Sequence, residues 1–104
     1  VHEIAHYDIE SYDPKKAETR YIEVKGHLGP QIYAELTQPE YETASKLHSS
    51  YWLYVVAEIG SGKPRLLCFR DPLSTLRIEV ITKKVRVEEE KRYLLRPQAG
   101  PVSG

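Results

Sequence analysis

The sequence predicts an α/β domain with a mixed central β-sheet and a flanking helix. Stretches of alternating apolar and polar residues precede and follow a single capped helical segment. Residues 51–57 are almost all apolar, which is typical of a central strand covered on both faces. The length of 104 residues suits one domain with one modest core. We expect that domain to span residues 1–96 and residues 97–104, rich in Pro, Gly and Ser, to form a flexible tail or linker.

The first predicted element is a β-hairpin. Residues 6–12 and 19–25 alternate in polarity, and the Asp13-Pro14 pair between them favours a turn. In the second strand the alternation predicts that Ile22 and Val24 enter the core, with Glu23 on the opposite face.

A third strand is predicted over residues 31–36, followed by a helix. Thr37 and Glu40 have the spacing of a capping box, and a proline in the first turn of a helix loses no needed donor. The helix is expected to end near His48, with Tyr41 on its inner stripe.

The second half of the chain predicts more strands. The apolar strand 51–57 is joined by a Gly-rich turn to a partner strand, residues 65–70, in which Cys68 is expected to be a buried small hydrophobe. Two short extended stretches, residues 76–81 and 85–87, precede a charge run over residues 88–92. The predicted order is therefore β-β-β-α-β-β with a C-terminal extension.

Charge and cysteine content exclude several classes of protein. The 15 basic and 15 acidic side chains give no net charge, which excludes a uniformly basic nucleic-acid binder and an acidic disordered tail. Residues 1–50 carry 5 basic and 9 acidic side chains, and residues 51–104 carry 10 and 6. One cysteine excludes an intramolecular disulfide and a multi-cysteine zinc site. No apolar run is long enough for a signal peptide or a spanning helix, so we expect an intracellular domain without a membrane partner. The absence of methionine favours an excised domain.

Three charged residues form the sharpest candidate site. Glu23 and Lys25, at positions i and i+2 of one strand, share a face, and the hairpin pattern places Asp8 on the same face of the neighbouring strand. Two carboxylates can bind Mg²⁺ while water and phosphate oxygens complete its shell. Lys25 would then orient water or neutralise a phosphate oxygen. The alternative is an ordinary solvent-facing strand with alternating charges.

Several sequence blocks resemble one known domain family in order and spacing. They are residues 6–14, residues 20–26, Leu36-Thr37 with Glu40, residues 51–56, and Asp71-Pro72. Together they resemble the domain of unknown function at the C-terminus of the plant protein NO VEIN. That domain is also found fused to Swi/Snf-like helicases and restriction-type ATPases in bacteria and archaea. The resemblance covers about residues 5–80.

That family is similar to the PD-(D/E)xK nuclease superfamily. The resemblance implies a restriction-endonuclease-like core and Mg²⁺- or Mn²⁺-dependent cleavage of DNA or RNA. Asp8 corresponds to the first motif acid, and Glu23 and Lys25 to the (D/E)xK pair; Tyr7 stands where the family commonly has proline. The superfamily core opens with a helix and a first strand, yet only seven residues precede Asp8. We therefore expect that helix to be cut off or differently arranged.

Other candidates are weaker. Lys83, Lys84 and Arg86 suit contacts with a phosphate backbone, or else form a solvated face interrupted by acidic residues. A zinc site at His2 and His6 is disfavoured because that segment is not helical in pattern. Two functions remain open: a nuclease-like module of a larger DNA- or RNA-processing protein, and a catalytically inactive nucleic-acid-binding or docking module attached to a helicase or ATPase.

Overall fold

The computed structural model describes residues 6–98. Short 3-10 turns at His48–Ser50 and Ile59–Ser61 join some of its elements. The strands and helices follow in the order β1 (Ile9–Asp13), β2 (Glu18–Gly26), β3 (Ala34–Thr37), α1 (Gln38–Leu47), β4 (Tyr51–Ala57), β5 (Arg65–Arg70), α2 (Pro72–Thr75), β6 (Leu76–Val85) and β7 (Glu88–Pro97). Neither helix is long and apolar enough to cross a membrane.

The strands form two sheets. The first has the order β1-β2-β4-β5, in which β2 and β4 are parallel and the other neighbours are antiparallel. The second is an antiparallel sheet with the order β3-β7-β6. The chain passes from β2 to β4 through β3 and α1, since a parallel pair needs a long crossover. The predicted α/β class, with a mixed sheet and a flanking helix, is confirmed.

The prediction for the two faces of β2 is confirmed in part. Ile22, predicted to enter the core, is buried, but Glu23 on the opposite face is buried as well. On β4, Tyr51, Leu53, Val55 and Ala57 are buried, whereas the alternate residues between them are only half-buried. The register pairs Glu23 with Leu53, so Glu23 lies on the covered face and is 4 % exposed. Val24, predicted to enter the core, is half-buried on the other face. Alternation identifies the two sets of residues on a strand but does not say which set is covered.

The core lies between the covered face, α1 and the second sheet. Its buried members are Ala34, Leu36, Leu53, Val55, Leu76, Tyr93 and Leu95. Tyr41 of α1 stacks on Tyr93 of β7 with 3.8 Å between ring centroids, which confirms Tyr41 as a packing residue. The helix therefore connects the two sheets through apolar contact.

The predicted capping box at the start of α1 is confirmed. Thr37 Oγ1 accepts a hydrogen bond from the Glu40 backbone N–H at 3.3 Å, and Glu40 Oε1 accepts from the Thr37 N–H at 2.8 Å. These bonds satisfy two donors that helix geometry would otherwise leave unpaired. The helix ends at Leu47, one residue before the predicted end.

The C-terminal half differs more from the prediction. The two short extended stretches and the charge run form one hairpin of two ten-residue strands, β6 and β7. Its register sets Lys83 opposite Glu90 and Lys84 opposite Glu89. Opposite charges across a sheet stabilise strand pairing, so this charge run is compatible with a strand.

Cys68 is also a correction. It is exposed rather than buried, because its register partner is Tyr54 on the uncovered face. Strand β7 ends at Pro97, and most of the tail predicted over residues 97–104 lies outside the described residues, as does His2.

A pair of leucine substitutions tests which face is covered. Leu53 is fully buried on β4, whereas Leu66 on neighbouring β5 is 59 % exposed. Leu53→Ala should lower the free energy of unfolding by about 2–5 kcal/mol, because it leaves a cavity. The matched Leu66→Ala should change it by less than about 0.5 kcal/mol. Urea denaturation measures both; a similar cost at the two sites would contradict the assigned faces.

Candidate functional site

Strand β2 places Glu23 and Lys25 side by side. Both lie on the covered face, opposite Leu53 and Val55 of β4, because they are two positions apart on a central strand. Lys25 Nζ is 3.4 Å from Glu23 Oε2. The predicted proximity of the acid and the ammonium is therefore present, within the covered layer of the sheet.

Asp8 lies just before β1 and is held against β2 by its own backbone and side chain. Its N–H donates to the Ile22 carbonyl at 2.8 Å, and its Oδ2 accepts from the Val24 N–H at 2.7 Å. One carboxylate oxygen of Asp8 therefore accepts from a backbone N–H of β2 that lies beyond the last hydrogen bond between β1 and β2. The Asp8 carboxylate therefore lies exposed against the β2 backbone at Val24, the residue between Glu23 and Lys25.

Glu40 joins the group from the first turn of α1. Lys25 Nζ is 3.0 Å from Glu40 Oε1 and 3.1 Å from Oε2, shorter than its distance to Glu23. The sequence pattern identified Glu40 only as a helix cap. The capping-box spacing of Thr37 and Glu40 does predict a carboxylate fixed at the start of the helix. It does not predict which strand residue that carboxylate contacts.

Burial and neighbouring charges determine how these groups ionise. Burial, reinforced by the negative charges of Glu40 and Asp8, raises the pKa of Glu23 to about 8, although Lys25 opposes this. Burial alone would lower the pKa of Lys25, but Glu40 and Glu23 outweigh it and the pKa is raised. The pKa of Glu40 is lowered, because its bonds to Thr37 and Lys25 outweigh the effect of burial.

The group lacks positive charge. Glu23 and Glu40 bring two carboxylates to one ammonium, so full ionisation would leave one negative charge uncompensated, and the exposed carboxylate of Asp8 adds to the negative charge near Glu23. The hydroxyl of Tyr51 is a further polar group here: its side chain is fully buried, and it has no hydrogen-bond partner among the described residues. Burial, together with the charges of Glu23, Glu40 and Asp8, raises the Tyr51 pKa. In the sequence, Tyr51 is recognisable only as part of an apolar strand.

The three basic residues predicted to contact nucleic acid lie on the β6–β7 hairpin. Lys83 Nζ is 2.7 Å from Glu35 Oε1 of β3. Lys84 lies opposite Glu89, and Arg86 occupies the turn with a φ of 60°. Acidic neighbours therefore accompany the basic residues, as the alternative of a solvated mixed face requires.

Within the described part of the chain, the histidines form no metal site with these acids. His27 stacks on Tyr33 with 4.5 Å between ring centroids. Across residues 6–98, no group of three or more His, Cys, Asp or Glu side chains is arranged to hold a metal ion. A cation at this site would therefore rely on two carboxylates, with water or substrate oxygens completing its shell.

The fold and site define an α/β domain in which buried Glu23, half-buried Lys25 and Glu40 meet where β2 faces the start of α1, with exposed Asp8 against the β2 backbone. Comparison with known families matches residues 1–69 to the family described as Protein NO VEIN, C-terminal. The match spans more than half of the chain, and the chain belongs to the NO VEIN C-terminal family. Comparison with curated proteins and with solved structures finds no match.

The raised pKa of Glu23 predicts a pH-dependent stability. The folded chain keeps this proton up to about pH 8, whereas an unfolded glutamate loses it near 4.5. Over that window the folded state binds more protons, so the Glu23 contribution to the free energy of unfolding falls as pH rises. Glu23→Gln should match the parent near pH 4.5 and exceed it by roughly 1–3 kcal/mol at pH 8 without divalent cations. Urea denaturation across pH measures this; a variant less stable than the parent at pH 8 would show that the Glu23–Lys25 ion pair dominates.

Tyr51→Phe tests the unpartnered hydroxyl. A buried hydroxyl without a partner costs desolvation free energy, so its removal should leave stability unchanged or raise it by up to about 1 kcal/mol. Thermal unfolding of the variant measures the change. A loss of stability beyond this range would indicate that the hydroxyl has a partner in solution.

Proposed function

We propose that this chain is a nuclease-like module of a larger DNA- or RNA-processing protein that hydrolyses phosphodiester bonds with Mg²⁺ or Mn²⁺. Asp8 and Glu23 are the proposed metal ligands, and Lys25 is proposed to orient water or a phosphate oxygen. The proposal includes an intracellular setting and helicase or ATPase domains as partners in the parent protein. It combines the resemblance to the PD-(D/E)xK superfamily with the chemistry of the cluster.

The observation that carries the proposal is the excess of negative charge around Glu23, which Lys25 balances only in part. A carboxyl that is 4 % exposed and has two acidic neighbours retains a proton unless a cation replaces it. The donors suit Mg²⁺, which prefers carboxylate oxygens and keeps several other oxygen ligands. Asp8 commits one oxygen to the Val24 N–H and has a second oxygen for a cation.

The cation and Lys25 would have separate roles in the reaction. The cation, when bound, supplies Lewis-acid stabilisation of the negative charge that develops on phosphate. Lys25 has three N–H donors, and a close pair with Glu40 does not require all of them. A remaining donor can face a phosphate oxygen or the attacking water.

A specific observation favours the second candidate, a docking module without catalysis. Glu23 is almost completely buried, and Lys25 is already paired with two carboxylates. The same cluster would then hold α1 against the sheet, with phosphodiester chemistry absent.

Cleavage assays distinguish the two candidates. The chain should cut plasmid DNA or single-stranded DNA or RNA with Mg²⁺ or Mn²⁺, and EDTA should stop it. Glu23→Ala and Lys25→Ala should each lower the rate by roughly 10²-fold or more. Glu42→Gln, an exposed acid on α1, is the matched control and should leave the rate unchanged.

Cation binding provides a second measurement. Mg²⁺ or Mn²⁺ should raise the melting temperature of the parent and of Glu42→Gln, and should not raise that of Glu23→Gln. Absence of cleavage, with no cation-dependent shift, would overturn the nuclease proposal and favour the docking module.

A further inference from the structure

Lys25 has two acidic partners, which lie at different distances from its ammonium. Glu23 belongs to the same strand and lies 3.4 Å from the ammonium, whereas both oxygens of Glu40 lie within 3.1 Å. If a cation binds, Glu23 is one of its proposed ligands, so its charge then interacts with the cation rather than with Lys25. We propose that Glu40 is the positioning residue for Lys25 and fixes its ammonium where it acts on a bound phosphodiester. This inference rests on the proposed function.

Glu40 is itself fixed by the backbone. Its Oε1 accepts from the Thr37 N–H at 2.8 Å, and its own N–H donates to Thr37 Oγ1. A side chain tied at the first helical turn has little freedom to move. The carboxylate that caps α1 therefore presents Lys25 with a rigid acceptor rather than a flexible one.

Lys25 needs such a partner because its stem is flexible. Four methylenes give a lysine many rotamers, and its ammonium has no fixed geometry of its own. A displacement of about 1 Å in a reacting group can cost roughly 10²-fold in rate. The Glu40 pair restricts the ammonium to one place without consuming all of its N–H donors.

Substitution by glutamine separates positioning from capping. The amide oxygen of Glu40→Gln can still accept from the Thr37 N–H, so the cap is preserved. Lys25 then loses the negative charge of its partner and its contact with the second oxygen, since the amide nitrogen is a donor. It keeps only the oxygen that it shares with the Thr37 N–H. Glu40→Asp keeps the charge but shortens the side chain, and tests rescue by a carboxylate.

The kinetic test uses the whole chain, a labelled oligonucleotide and saturating Mg²⁺. Glu40→Gln should lower kcat by about 10–100-fold with KM changed less than about threefold, and the melting temperature should remain close to that of the parent. Glu40→Asp should recover part of kcat, and Glu42→Gln should behave as the parent. An unchanged kcat in Glu40→Gln, or a loss that only follows unfolding, would overturn the proposal.

A second measurement does not depend on activity. Nitrogen-detected NMR of a ¹⁵N-labelled chain reports lysine ammonium groups whose protons are held against exchange with water. The Lys25 signal should be present in the parent and in Glu23→Gln, and lost in Glu40→Gln. A signal lost instead in Glu23→Gln would overturn the role of Glu40. If the parent shows no cleavage but the expected NMR pattern, the nuclease proposal fails while the positioning of Lys25 by Glu40 stands.

Discussion

The arrangement of this domain depends on the burial of one carboxyl group, that of Glu23. A central strand that carries Glu23 and Lys25 on its covered face cannot pack against apolar groups alone. The start of α1 therefore has to lie where Glu40 reaches Lys25, and the chain before β1 has to lie where Asp8 reaches β2. The polar cluster thus fixes the relative position of three segments, whereas the surrounding apolar core supplies their packing.

The same cluster is costly as it stands. Removing charges from water is unfavourable, and one ammonium cannot balance both Glu23 and Glu40 with the further negative charge of exposed Asp8 nearby. Either a proton on Glu23 or an added cation relieves the imbalance, and the two outcomes correspond to the docking and nuclease proposals. Whether a proton or a metal cation neutralises Glu23 therefore decides between the two proposed functions.

Local sequence patterns predicted much of the fold. The features that were not predicted depend on contacts between residues far apart in the sequence. The capping box of Thr37 and Glu40, the hairpin around Asp13 and the apolar strand β4 depend on neighbouring residues and are confirmed. The covered face of β2 depends on where α1 and the second sheet pack, which no alternation encodes. For the same reason the sequence predicted the helix-capping role of Glu40 but not its contact with Lys25. The prediction that Cys68 is buried was wrong on the same ground. The β6–β7 hairpin was predicted only as two short extended stretches, because the charge run over residues 88–92 interrupts the apolar alternation of β7.

The last strand has a consequence for how the chain acquires its structure. Strand β7 lies in the middle of the second sheet, between β3 and β6, and contributes Tyr93 and Leu95 to the core. Strand β3 precedes it by more than fifty residues and has no other strand partner in the described sheet. During synthesis on the ribosome, Leu36 can pack on Leu53 and Val55 once β4 has emerged, but its strand partner arrives only with β7. The second sheet and its core residues Tyr93 and Leu95 are therefore completed only when β7 emerges, and until then the partly synthesised chain exposes part of its core.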